Sequence, residues 1–189
     1  MTFSEIENRR KLIALLQLAY SGELAAAYAY RGHWQSVRNA DQKTAIQKIE
    51  NDEWRHRRLV GEMLAGLETG PDQRRETRAS LIGRTLGFLC HITGWLAPMY
   101  GAGRLESRNI REYETAARYA HASGRSDLVN CLLEMAEVEW DHEYYFRSRV
   151  AEHFLGRRLP LWTQPLPKET IRVSFARELD ALGSVLISA

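Results

Sequence analysis

Two copies of one tetrapeptide, Glu53-Trp54-Arg55-His56 (EWRH) and Glu139-Trp140-Asp141-His142 (EWDH), stand far apart in a chain of 189 residues. In an α-helix, positions i and i+3 lie about 60° apart, so each copy projects a carboxylate and an imidazole from one face. A lone Glu-x-x-His is common on solvated helix faces. Two copies on separate helical segments, both with Trp after the Glu, point to a paired metal site instead.

Outward from these tetrapeptides, apolar residues recur at helical spacing through six segments. Ser4 and Glu7 read as a capping box opening a first helix that runs to about Ser36. Asp41 is the expected cap of a second helix, which stops before the Gly70-Pro71 turn. A third, "RASLIGRTLGFLCHITGWLAPMY" (78–100), is closed by Gly101 and Gly103. A fourth starts near Ser107 and stops at Gly124, and a fifth, capped by Ser126 or Asp127, runs through EWDH to Gly156. Pro160, Pro165 and Pro167 mark an extended strap. A short last helix, about Glu169 to Leu186, is expected to dock Ile171, Phe175, Leu179 and Leu182 on the rest. No segment reads as a strand. The expected fold class is all-α, a helical domain over residues 1–156 with the strap and short helix of 157–189 packed on it.

Composition narrows the function. With 44% hydrophobic and 26% charged positions the chain is an ordinary globular one, long enough for a single core. Twenty-six Lys+Arg against 24 Asp+Glu leave a net charge of +2, which predicts no nucleic-acid partner. Cys90 and Cys131 have neither disulfide-framework nor metal spacing, and the N-terminus carries no apolar signal run, so a cytoplasmic location is expected. The third helix is uncharged from Thr85 to Tyr100, too short for the roughly twenty residues that span a bilayer. It reads as a buried core helix; the alternative is peripheral contact with the inner face of a membrane, or with a greasy ligand.

A second repetition supports the paired site. Glu23 is followed by Ala26, Ala27 and Tyr30, and Glu112 by Thr115, Ala116 and Tyr119, at the same offsets of +3, +4 and +7. Packing explains the small and aromatic positions. It does not explain a carboxylate within each stripe, because a buried unpaired Glu is costly or is forced to protonate. One Glu from each of two helices and a Glu-x-x-His from each of two others supply a binuclear site in a four-helix bundle. The expected metal ligands are Glu23, Glu53, His56, Glu112, Glu139 and His142, with Glu53 and Glu139 shared between two ions and Glu23 and Glu112 terminal. This donor set suits two iron ions. Glu114 is the alternative to Glu112 if the fourth helix is rotated. Asp52 is the expected hydrogen-bond partner of His142, with a solvated role as its alternative; the position matching it in the other copy is Val138, so His56 has no acceptor that the sequence identifies. His33, His91, His121 and His153 have no partner at ligand spacing.

The order "SGELAAAYAY", "ENDEWRH", "LGFLCHITGWLAPMYGAG", "EYETAARY" and "EVEWDHEYY" resembles the ferritin-like diiron carboxylate superfamily, and within it most the demethoxyubiquinone hydroxylases of ubiquinone biosynthesis. That family also places an apolar helix with a Leu-Gly-Phe segment between its two halves. Where its usual Gly-Ala-Asn-Arg run follows the first Glu, this chain has "LAAAYAYR", and Ala117 and Arg118 replace its paired histidines. The resemblance implies a ferritin-like four-helix bundle with an added apolar helix, and a monooxygenase in which two iron ions activate O2 to hydroxylate a hydrophobic substrate, a quinone precursor among the candidates. Glu53 and Glu139 would shift as the irons oxidise, Tyr30 and Tyr119 would orient oxygen species or line the cavity, and Phe88, Trp95 and Leu96 are the expected wall residues. An unspecified electron donor is required, and self-association is left open. The rival readings are a ferritin- or rubrerythrin-like iron-oxidising or peroxide-reducing protein and a non-catalytic metal-binding bundle.

Overall fold

The computed structural model describes residues 2–187, with side chains to residue 181, and every regular element among them is helical. The order is α1 (Phe3–Ser36), α2 (Ala40–Gly66), α3 (Gln73–Thr93), α4 (Leu96–Ala122), α5 (Val129–Glu152) and α6 (Thr170–Ile187), with short 3-10 turns before and after α5. Capping follows the expected chemistry at shifted positions. Thr2 and Glu5 form the capping box of α1, Asn39 caps α2 and Asp72 caps α3. Gly124, with φ of 76°, ends α4 in a left-handed conformation that suits glycine.

Of the boundaries that differ from expectation, two matter for the site. The third and fourth helices divide at Gly94, where φ is 71°, rather than at Gly101. Pro98 falls in the first turn of α4, where its missing N–H breaks no helical bond. Gly103 lies inside α4, where the Trp162 ring covers it and leaves no room for a Cβ. The helix that was expected to start near Ser107 therefore begins three turns earlier.

α1 is the central element, packed on α2, α3 and α4, while α4 packs along α5. Its contact with α3 is backbone against backbone. A Cβ on Gly32 would overlap Gly87, and one on Gly83 would overlap Ala25. Among the described helices α1 alone is long and apolar enough to cross a membrane, yet the same helix buries Glu23 within the protein.

α3 is not the buried core helix its composition suggested. Only Ala79, Gly83, Gly87 and Cys90 are buried, whereas Leu81, Phe88 and Ile92 are 65–68% exposed. Small residues face α1 and large apolar ones face outward, the reverse of an ordinary amphipathic helix.

Two apolar clusters form the core. Leu12, Leu16, Val60, Leu64, Leu132 and Met135 lie in one, and Tyr30, Ile46, Ile49, Met99, Phe146 and Val150 in the other. Ile171 and Phe175 dock α6 on the first cluster and Leu179 packs at its edge; the Leu182 side chain lies outside the described ones. The strap is held by Tyr100 Oη donating to the Pro160 carbonyl at 2.7 Å and by Arg147 donating to the Trp162 carbonyl at 3.1 Å.

Candidate metal centre

Between the two apolar clusters, α1 and α4 each bury a glutamate, and α2 and α5 each bury glutamates and a histidine. Glu23, Glu53, His56, Glu106, Glu139 and His142 are at most 3% exposed. They form two groups whose ligand atoms lie within 4.8 Å of one another: Glu23, Glu53, His56 and Glu139 in one, Glu53, Glu106, Glu139 and His142 in the other. Glu53 and Glu139 belong to both, which is the placement required of carboxylates shared by two ions. Each group could hold a metal ion.

Five of the six expected ligands are in these groups, and Glu112 is not. Its carboxylate accepts from Arg108 Nε at 2.7 Å on the partly exposed side of α4. Glu114, the weighed alternative, is also outside them. The acid that α4 brings inward is Glu106, six positions before Glu112 and nearly two turns earlier. The sequence contained a usable signal, because Tyr113 follows Glu106 at the same +7 offset that links Glu23 to Tyr30. The expected start of the fourth helix left Glu106 in a turn and hid it.

Tyr30 and Tyr113 make the paired offset visible. Tyr30 Oη donates to Glu106 Oε1, and Tyr113 Oη donates to Glu23 Oε1, so each tyrosine reaches the carboxylate of the opposite helix. Tyr119, the expected partner of Tyr30, packs beside the first apolar cluster with Lys11 over its ring. Burial, followed by the adjacent Glu106 and Glu23 charges, raises both phenols well above their usual range and keeps them hydrogen-bond donors.

His142 presents its two nitrogens to different neighbours. Nδ1 lies 3.3 Å from Glu53 Oε1 and Nε2 lies 3.2 Å from Asp52 Oδ2. Asp52 therefore orients the ring, as a carboxylate behind a ligating imidazole does. Lys48 also binds this acid, at 3.1 Å. His56 Nδ1 sits 2.9 Å from Glu139 Oε1, while its Nε2 has no partner among the described residues.

Charge in this pocket is not balanced by protein alone. Burial, then repulsion from Glu23 and Glu139, raises Glu53 well above the carboxylate range. Burial likewise raises Glu106, with Glu139 adding to the effect, and raises Glu23. Glu139 goes the other way: burial opposes its ionisation, but the neighbouring Glu106 carboxyl and the His142 and His56 imidazoles together hold it well below the range. Burial disfavours a charged His142, yet Asp52, Glu139 and Glu53 raise it well above the usual imidazole value. Burial and mutual repulsion thus favour protonation within this cluster of acids. Both oxygens of Glu53, one each of Glu23 and Glu139, and Nδ1 of His142 have no hydrogen-bond partner among the described residues. These buried orphan atoms are the donor set a hard or borderline divalent cation takes, so the residues fit the metal.

The Trp residues of the two tetrapeptides have a different task. Trp54 Nε1 donates to Glu50 at 3.1 Å, an acid that also accepts from Trp34 and Arg31, and Trp140 Nε1 donates to the Leu166 carbonyl of the strap at 2.8 Å. Glu and His serve the centre, and Trp fastens the outer face.

A cavity of about 600 Å³ lies between α1, α3 and α4. Ala25, Ala26 and Ala29 form one wall, with Ile82, Leu86 and Leu89 opposite, and it reaches Tyr30 and Glu106 of the centre. The expected wall residues are elsewhere: Phe88 is exposed, while Trp95 and Leu96 pack against the second apolar cluster. No family model, curated protein or solved structure matches the chain.

Proposed function

We propose that this chain is a non-haem diiron oxygenase, built as a ferritin-like four-helix bundle with α3 added, that hydroxylates a hydrophobic organic substrate. The observation that carries the reading is a junction. Two ligand groups sharing Glu53 and Glu139 adjoin, through Glu106, an apolar cavity large enough for an organic molecule.

Bound iron would supply O2 activation and the oxidising power for C–H hydroxylation, with an external electron donor. The chain supplies the surroundings. Glu53 and Glu139, common to both groups, would be shared by two cations, one also held by Glu23 and His56 and the other by Glu106 and His142. Asp52 fixes the His142 ring with Nδ1 inward. Tyr30 and Tyr113 fix the two terminal carboxylates while retaining their own protons. Apolar clusters above and below keep bulk water from the cluster. Leu86, Leu89 and Leu105 strip water from a substrate, and the outward apolar face of α3 suits loading from a membrane surface. A quinone precursor is the substrate class that the resemblance to demethoxyubiquinone hydroxylases suggests.

An iron-oxidising or peroxide-reducing protein would use nearly the same six ligands, and the cavity is what favours the oxygenase. The decisive measurement is iron per chain after anaerobic loading, with the Mössbauer signature of a coupled pair, followed by O2 consumption with and without apolar aromatic substrates. Two irons per chain and substrate-dependent consumption are expected. Consumption driven by ferrous iron alone supports the rival, and absence of a coupled pair removes both.

A further inference from the structure

The cavity between α1, α3 and α4 is apolar except at a few positions, and nearly all of those are already engaged. Tyr30 donates to Glu106, Asn109 to Glu106 at 3.0 Å, Arg108 to Glu112, Thr93 to the Leu89 carbonyl and Cys90 to the Leu86 carbonyl. His33 is the exception among the described residues. It lines the same cavity, is 1% exposed, and its Nε2 has no hydrogen-bond partner. Its ring stacks on Phe146 with centroids 6.3 Å apart. Packing alone would be served better by Phe or Leu, because a buried imidazole without a partner pays its desolvation and recovers nothing.

We infer that His33 is the polar anchor of this cavity, hydrogen-bonding the hydroxyl group of an uncharged, otherwise apolar ligand. The inference rests on the oxygenase reading for the cavity's purpose and adds the residue that selects the ligand. His33 follows Tyr30 by three positions, so its ring stands about one helical turn, roughly 5 Å, farther along α1 from the centre. A ligand held there by its hydroxyl presents its neighbouring carbons toward Glu106 and Tyr30. Burial lowers His33 to about 4 and raises the Cys90 thiol to about 11, so this end of the wall is neutral at pH 7 and offers no counter-charge to an ion. A neutral imidazole has one donor and one acceptor nitrogen. A hydroxyl can donate to Nε2 or accept from it, whichever tautomer is present.

Two probes of nearly equal shape, 4-propylphenol and propylbenzene, test this by calorimetric titration into the full-length chain as purified. The wild type should bind both, and His33→Phe should weaken 4-propylphenol roughly tenfold while changing propylbenzene less than about twofold. His33→Gln, which keeps a donor and an acceptor, should recover most of the phenol affinity, and thermal melting of both variants verifies the fold. Equal losses for the two probes in His33→Phe would overturn the assignment. So would failure of either probe to bind the wild type, leaving His33 paired with water only. Iron loading of the same samples separates the outcomes, since the metal centre stands or falls independently of His33.

Discussion

Tyr30 on α1 donates its hydroxyl to Glu106 on α4, and Tyr113 returns the bond from α4 to Glu23 on α1. This crossed pair fixes which acid of α4 belongs to the centre. Glu106 is fully buried with a tyrosine behind it, and Glu112 is partly exposed with Arg108 beside it. Glu106→Ala should therefore remove one of two metal ions per chain, with Glu112→Ala leaving both. Metal analysis of the two variants decides it, and retention of both ions in Glu106→Ala would sink the assignment.

Asp52 meets His142 at Nε2 and is not among the grouped ligand atoms, so the role expected of it is to orient that ring rather than to ligate. Asp52→Asn should keep two metals but weaken their binding roughly 10–100-fold. Competition with a chelator measures the change, and wild-type affinity in the variant would return Asp52 to an ordinary surface acid.

Stability without metal should depend on pH in a definite direction. Glu23, Glu53 and Glu106 are raised by burial, and His142 and His56 are raised by their carboxylate partners against the effect of burial. A group raised on folding contributes fully below its unfolded value and loses that contribution as pH rises through the folded one. The metal-free protein should therefore lose stability as pH rises above about 4.5, where the glutamates begin to ionise in the unfolded chain, and further above about 6.5, where the histidines follow. Glu139 and Asp52 are lowered, so their contribution is lost only as pH falls below about 4, and lowered His33 acts only below about 6.5. Metal replaces the protons, so iron affinity should rise with pH and loading should flatten the slope. Melting temperatures with and without metal give the answer; a metal-free value that climbs over this range contradicts protonation within the cluster.

The contact of α3 with α1 depends on three glycines. Gly32→Ala puts a methyl group into the Gly87 backbone, which no rotamer change relieves. A cost of about 1–3 kcal/mol is expected from such overpacking. Urea unfolding measures it. Because α3 also walls the cavity, propylbenzene binding should weaken in the same variant, and unchanged binding would show that α3 can shift without altering the cavity.

Local periodicity made much of this protein legible in its sequence. Glu53 with His56 and Glu139 with His142 share helix faces by spacing alone, Glu23 sits in a stripe of small residues, and Asp52 precedes its shared carboxylate. The strap was readable from its prolines, since proline excludes a regular helix there. The choice of Glu106 over Glu112 and the role of α3 were decided by tertiary structure. Gly101 and Gly103 look like helix stops in sequence, yet both lie inside α4, and at Gly103 the ring of Trp162, far along the chain, occupies the space of a side chain. An apolar run reads as core until its small residues are spent on close backbone contact. In α3 Gly83 and Gly87 meet α1, and the large residues are left for the cavity and the outer surface. Spacing along one helix sets which side chains share a face; which face turns inward is set by the helices that pack against it.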